Sequence, residues 1–494
     1  MRTQPDERLM MCRLPIFVIF VTLALAGTLR QVDSAQSLRI LTRDTSAIGG
    51  PALRHGQAFE ARTGIPLTVD QVPFEQLYDR IMLGFVTGRV AWDVLLIPAA
   101  WLADFAPYLS PVPPQVLEAA RVDDIYPVYR NALMRWGGRW MALTLDGDLQ
   151  LGAYRRDLFE DPETRAEFQK IYGRALEPPR TWAEYRDIAA FFKGRSVADG
   201  NPLAGTLEAY ARNGQRIWYL FSHAAAYADH PDYPGHMFFD PDTLRPSIDN
   251  PAWVRALTEY SELRPFGPPD VDSLDSEAVR TRFAAGAAAM DLDWADTGVL
   301  AGDPRYSRIP GQVGFFRLPG SREVWNPITK RWDRLAEPRS VTFLAFGGWI
   351  AVVPAASPNQ QAAWSYILEF ISSVNSAHDL LDGTSGINPY RPSQLQDPAP
   401  WRSLLGEHQA DDYLQVLRNS LMAPQTVPDL RLPGYRAYIA ALDRQLDKVL
   451  AGEIEPKAGL QEAAQAWDVL TDRLGRNSQR RHYRAAMGLA ELPE

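Results

Sequence analysis

The 494 residues are 46% hydrophobic and 22% charged, and 51 Lys+Arg against 60 Asp+Glu leave a net charge of −9. That length exceeds what one hydrophobic core serves, so more than one domain is expected, and the acidic balance excludes the basic footprint that a nucleic-acid binder needs. A single cysteine, Cys12, excludes an intramolecular disulfide and any cysteine-rich zinc or iron–sulfur site.

Arg2, Arg8 and Arg13 precede an apolar run from Leu14 to Ala26 that closes on Ala24-Leu25-Ala26, and Ala35 is a second small residue nearby. A basic start, a short apolar core and an A-x-A site make up a secretory signal, so residues 1–35 are expected to be a cleaved signal peptide. A spanning helix needs about 20 apolar residues, and Arg30 and Asp33 come too soon. Cys12 lies before the run, so it is not the lipid-modified cysteine that follows a lipoprotein signal.

Beyond it, strands alternate with helices. Leu38 to Thr42 reads as a strand, 52–63 as a helix stopped by Gly64, Ile65 to Val69 as a strand, 74–87 as a helix and Trp92 to Ile97 as a buried strand. This βαβαβ order predicts a mostly parallel sheet with helices on its faces, and ligands at the carboxyl ends of its strands, beside loops 43–46 and 98–101. Residues 157–275 read as helices joined by Pro-, Gly- and aromatic-rich loops. Strands return at 288–292, 313–316 and 343–353, with an irregular surface excursion over 319–340. Helices over 435–450 and 457–474 follow, and Gln479-Arg480-Arg481 reads as a solvated basic helix end. No repeat or low-complexity segment is present.

Two acidic clusters follow strands: Asp146-Gly147-Asp148, and Asp291, Asp293 and Asp296 around Trp294. Paired carboxylates beside an aromatic ring suit a glycoside hydrolase, and they equally suit a non-catalytic sugar site or turn-capping aspartates. The stretch after Asp291 lacks the ligands of a calcium loop. The chain has no H-E-x-x-H, G-x-S-x-G, G-x-x-x-x-G-K-[ST] or G-x-G-x-x-G motif, so metal, serine-hydrolase and nucleotide chemistry lack support, and neither a metal nor a cofactor is expected. Gly347-Gly348-Trp349 interrupts an apolar strand, which marks a close approach of ligand or backbone. Arg391 stands alone in the turn-rich stretch 386–392.

Taken in order, these segments resemble the periplasmic solute-binding proteins of ABC importers, the family-1 carbohydrate binders related to maltose and trehalose receptors. The segments that carry the resemblance are LRILTRD (38–44), FEARTGIPLTV (59–69), WDVLLIPAAWLADFAPYL (92–109), LGAYRRDLFED (151–161) and EPPRTWAEY (177–185). They continue with FAAGAAAMDLDW (283–294), GGWIAVVPAASPNQQAAWSYILEFISS (347–373) and GINPYRPS (386–393), and Gly452-Glu453 before a helix around Trp467 closes the match.

The resemblance implies an α/β fold of two lobes, residues 37–144 plus 345–385 and 145–344 plus 386–494, joined by crossing strands near 143–149, 343–347 and 384–389. A ligand would sit between them, against Asp44, Trp101, Asp146, Asp148, Trp294, Gly348, Trp349 and Arg391. Carboxylates and the arginine would bond hydroxyls while indoles stack on the ring. Where the family often carries an aspartate three residues before the wall-loop tryptophan, this chain has Pro98, whose side chain accepts no hydrogen bond. The implied function is that of a monomeric periplasmic receptor delivering a small polyhydroxylated solute to a membrane permease, with no nucleic-acid partner. A periplasmic sensing or docking adaptor and an exported glycoside hydrolase are the alternatives.

Overall fold

An uninterrupted apolar run makes Val94–Pro98 a strand buried along its whole length, while polar Arg39 lets its neighbour Leu38–Arg43 reach solvent. These two lie near the middle of the larger of two main sheets in the computed structural model, which describes residues 37–195, 202–212 and 215–490. The expected signal peptide and Cys12 fall outside the described residues.

In chain order the strands of the two main sheets are β1 (Leu38–Arg43), β2 (Leu67–Val72), β3 (Val94–Pro98), β4 (Leu143–Thr144), β5 (Gln150–Arg155), β6 (Ala204–Leu207), β7 (Ala288–Trp294), β8 (Val313–Phe316) and β9 (Trp349–Val352). The first sheet has the order β2-β1-β3-β9-β4, with β1 parallel to β2 and β3 and with β9 antiparallel to β3 and β4. The second has the order β8-β5-β7-β6. Helices α1 (Ser46–Thr63) and α2 (Phe74–Val86) supply the crossovers of the first sheet, and Gly64 ends α1 at φ 71°. Every residue of α3 (Arg216–Ala228) is buried, which fits a helix whose circumference is largely apolar. Helix α4 (Ser276–Ala284) starts where the Asp275 carboxylate accepts from the Ala278 N–H.

Three expectations change. The excursion over 319–340 is an antiparallel hairpin, Ser321–Asn326 with Arg331–Arg339, held by the cross-strand pair Trp325 and Trp332 at 5.7 Å. The single strand expected over 343–353 breaks into Thr342–Phe343 and β9, because Ala345, Gly347 and Gly348 all take positive φ. Within the stretch read as helical, β6 adds an edge strand parallel to β7.

The chain passes between the sheets at three places that meet. In residues 145–149, the Leu145 N–H donates to the Trp349 carbonyl at 2.8 Å, and the Ala295 N–H donates to the Leu149 carbonyl at 3.1 Å. Residues 344–348 lead from the Thr342–Phe343 strand to β9, and the Ala99 N–H donates to the Gly348 carbonyl. In residues 384–389, the Ser385 carbonyl accepts from Ile48 and the Asn388 carbonyl from Gly147. Gly348 sits at φ 92°, and a Cβ there would lie 2.2 Å from the Asp146 carbonyl oxygen. Alanine at this position must displace backbone as well as adopt an unfavourable conformation. Gly348→Ala is therefore expected to lower stability by about 2–4 kcal/mol, against about 1 kcal/mol for Gly64→Ala, where nothing lies within 4 Å. Equal losses in chemical denaturation would show that the crossing is not a tight contact.

Candidate functional site

Residues at strand ends and crossings converge on one small cavity of about 30 Å³, roughly the share of one water, lined by Arg43, Asp146, Asp148, Arg280, Trp294 and Trp349 among others. Arg43 ends β1, Trp294 ends β7 and Trp349 begins β9. Beside Arg43 the chain turns through Ile48, which holds φ 65°, a left-handed conformation that is rare for a β-branched residue. Its N–H donates to Ser385 at 2.8 Å, which anchors the turn at the cavity edge.

Asn388 organises the acidic pair. Its backbone N–H and side-chain amide donate to Asp146 Oδ1 at 2.6 and 3.2 Å, and the same amide donates to Asp148 Oδ1 at 2.9 Å. The Tyr129 hydroxyl, donating to the Gly147 and Asp148 carbonyls, fixes the turn between them. Burial pushes the Asp146 carboxyl up to about 7, and burial together with the neighbouring Asp146 charge holds Asp148 well above the ordinary carboxylate range.

Opposite them, Arg280 on α4 bridges Asp293, through Nε at 3.1 Å, and Asp296. Asp293 also accepts from the Tyr219 hydroxyl at 2.8 Å, and burial raises it to about 7 in spite of the arginine. Asp291, inside β7, accepts at 2.8 Å from Thr297, which begins the helix after that strand. The Arg43 guanidinium lies over the rings of Phe74 (5.6 Å) and Trp349 (5.8 Å), and burial, with the Arg280 charge adding, lowers its pKa. Three polar atoms in this cavity are buried without a hydrogen-bond partner in the protein: Asp146 Oδ2, Arg43 Nε and Trp294 Nε1. Unmet buried donors and acceptors are costly, and the two donors and one acceptor beside this cavity would be met by water or by a polar ligand.

A second chamber of about 280 Å³ adjoins it, walled by Phe74, Trp101, Trp218 and Tyr435. Phe74 joins the two chambers, stacking on Trp101 at 5.6 Å and meeting Trp349 edge-on at 6.1 Å, while Trp218 meets Trp294 at 6.0 Å.

Of the residues expected around a ligand, the structure brings Asp146, Asp148, Trp294 and Trp349 to the small cavity and Trp101 to the aromatic chamber. Gly348 contributes a close backbone approach to Asp146 rather than a cavity wall. Asp44 is exposed and lines neither chamber; its neighbour Arg43 turns inward. Arg391 is elsewhere, with its guanidinium donating to the Ala120 and Arg121 carbonyls beside a different cavity, because the turn 386–392 leads away from the cleft after Asn388. Sequence reasoning missed Arg280, Trp218, Phe74 and Asn388 as site residues. Asn388 stood in a quoted segment, whereas Arg280 and Trp218 lie on helices whose inward face no local pattern distinguishes.

The raised carboxyls have a consequence for stability. Between the ordinary value of 3.8 and about 7 the folded protein keeps a proton on Asp146 that the unfolded chain releases, so stability falls as pH rises through that window. Asp146→Asn, which keeps an acceptor for Asn388, is expected to gain on the native protein by up to about 1.4 kcal/mol per pH unit between pH 5 and 7. Melting temperatures of both proteins across pH 5–8 check this, and a difference independent of pH would contradict it.

Comparison with known proteins places this architecture. A family model for bacterial extracellular solute-binding proteins matches residues 44–373. A Sinorhizobium fredii protein named as a probable amino-acid ABC transporter periplasmic-binding protein is 20% identical, over 76% of this chain and 77% of its own length. Among solved structures, maltose-bound MalE3 of T. maritima is similar with a TM-score of 0.69 at 20% identity, covering 88% of this chain and 100% of that one. A solute-binding protein of Agrobacterium radiobacter K84 in complex with ribitol also reaches 0.69, at 22% identity over 88% and 98% of the two chains. The fold is the two-lobe α/β architecture of these receptors, with a cleft at the crossing strands, and the chain belongs to the bacterial extracellular solute-binding protein family.

Proposed function

We propose that the protein is a periplasmic receptor that closes its two lobes, 37–144 plus 345–385 and 145–344 plus 386–494, on a small polyhydroxylated solute and delivers it to the membrane permease of an ABC importer. The observation that carries this reading is the trio of unpartnered buried atoms, Asp146 Oδ2, Arg43 Nε and Trp294 Nε1, set between aromatic faces. A sugar or polyol hydroxyl both donates and accepts, so one such group can meet Asp146 and another Arg43 or Trp294, while C–H faces rest on indole. Similar receptors whose structures hold ribitol, D-mannitol and maltose support this ligand class. Asp293 and Asp296 are engaged by Arg280, which suits a positioning role better than the acid and base of a hydrolase. The segment 1–35, with its basic start, is proposed to direct export and to be removed, and the mature protein to act as a monomer.

One observation favours a second reading. Arg43 and the Asp146–Asp148 pair place opposite charges around one cavity, which also suits the carboxylate and ammonium of an amino acid, and one relative carries that name. A thermal-shift screen of pentitols, hexitols, mono- and disaccharides and amino acids separates the two, since a bound ligand stabilises the folded state. Polyols or sugars are expected to raise the melting temperature and amino acids not to; the reverse overturns the polyhydroxylated reading. Trp294→Phe keeps an aromatic face and deletes an N–H with no partner in the protein, together with part of a buried indole. It is expected to weaken the solute identified by about 1 kcal/mol, roughly fivefold, and to lower ligand-free melting through the lost ring volume. Native affinity in this variant would remove Trp294 Nε1 from the site.

A further inference from the structure

The hairpin turn at Trp136-Gly137-Gly138 and the C-terminal helix α5 (Arg476–Ala486) border a separate cavity of about 280 Å³, also lined by Arg135, Arg431 and His482. Arg431 is 2% exposed, yet its guanidinium meets only carbonyl oxygens, those of Arg135 at 3.2 Å and Leu133 at 3.5 Å, and its Nε is buried with no partner. Two other buried arginines have carboxylates, Arg216 on Asp443 and Asp447 and Arg280 on Asp293 and Asp296, whereas Arg391, like Arg431, donates to carbonyls. With burial acting alone and no anion beside it, the Arg431 pKa is pushed down to about 10. A buried charge without a counter-charge is costly, and no carboxylate among the described residues pairs with this one.

The surroundings add positive charge. Arg135 lies against the Trp140 ring at 4.2 Å rather than against an acid, and its side chain is at the surface. His482 stacks on Trp136 at 5.2 Å, and the Arg431 guanidinium is 5.8 Å from the same ring. Arg481, from the basic run noted in the sequence, is exposed and acts on His482. In a chain of net charge −9, Arg431 and Arg135 line one cavity without a carboxylate partner among the described residues, and Arg481 lies near His482.

We propose that this cavity is an oxyanion site, distinct from the solute cleft, in which Arg431 and Arg135 hold a phosphate group with His482 at its side. Planar guanidinium forks match phosphate oxygens, and a ligand oxygen at Arg431 would supply the partner its Nε lacks. The phosphate can belong to a free small molecule or to a lipid headgroup, and the test distinguishes these sources.

Inorganic phosphate is titrated into the full chain at constant ionic strength set with sodium chloride, with melting temperature and calorimetry as readouts. Sedimentation with phosphatidylcholine vesicles, with and without phosphatidylglycerol, runs in parallel. A saturable effect of phosphate, weakened at least tenfold in Arg135→Glu, is the expected result for a free ligand. Sedimentation that depends on phosphatidylglycerol and is lost in Arg135→Glu assigns the same site to a headgroup. Arg135 is exposed, so this variant is expected to fold, whereas Arg431→Met tests the buried cation directly if it folds. Binding in neither arm, or equal binding by native protein and Arg135→Glu, overturns the proposal.

Discussion

The contact on which the structure depends is the backbone crossing at Gly348 and Asp146. Two sheets of different topology are tied where three segments meet, and the meeting leaves no room for a Cβ at Gly348. Asn388, from the third segment, donates to Asp146 and Asp148 on the first with one backbone and one side-chain group. The acidic pair is thus held by the junction itself rather than by either sheet alone. Whatever the pair binds must lie at the boundary between the sheets.

Electrostatics then separates two kinds of buried carboxylate. Asp293 and Asp296 share Arg280, which offsets part of the cost of their burial within the protein. Asp146 and Asp148 have an amide but no cation in direct contact, and Asp146 keeps one oxygen unmet. Burying such a group costs more than pairing it returns, and a solute hydroxyl donating to it changes that balance. The cavity at the acidic pair is only about 30 Å³ in this conformation, so a solute of several carbon atoms that reaches Asp146 and Trp294 together needs the junction to open. Binding and closure are therefore coupled through the same atoms: the solute supplies the hydrogen bonds that make the closed junction favourable.

Much of this was legible in the sequence, and the remainder was hidden for physical reasons. The βαβαβ start shows because buried strands such as Val94–Pro98 alternate with helices that end at glycine. The glycine pair before Trp349 announced a backbone approach, although what it approaches, the Asp146 carbonyl, needs a partner from 202 residues away in the chain, which only the fold reveals. The hairpin over 321–339 was obscured because its second strand is charged and solvent-facing and contains Pro338, so the period-two pattern is weak. Arg391 looked like a cleft residue because a lone arginine in a turn has no visible partner, and its partners are backbone carbonyls without a sequence signal. Arg280 and Trp218 escaped for the opposite reason: each sits inside an ordinary helix, and only packing turns it toward the cleft.

The coupling of solute binding to lobe closure is the central claim, and small-angle X-ray scattering on the ligand-free protein, with and without a solute of demonstrated affinity, tests it most directly. Two lobes hinged at the Gly348–Asp146 crossing should populate an open form that the solute draws shut, giving a smaller radius of gyration at saturation. An unchanged scattering profile at saturating, independently confirmed binding would contradict the account.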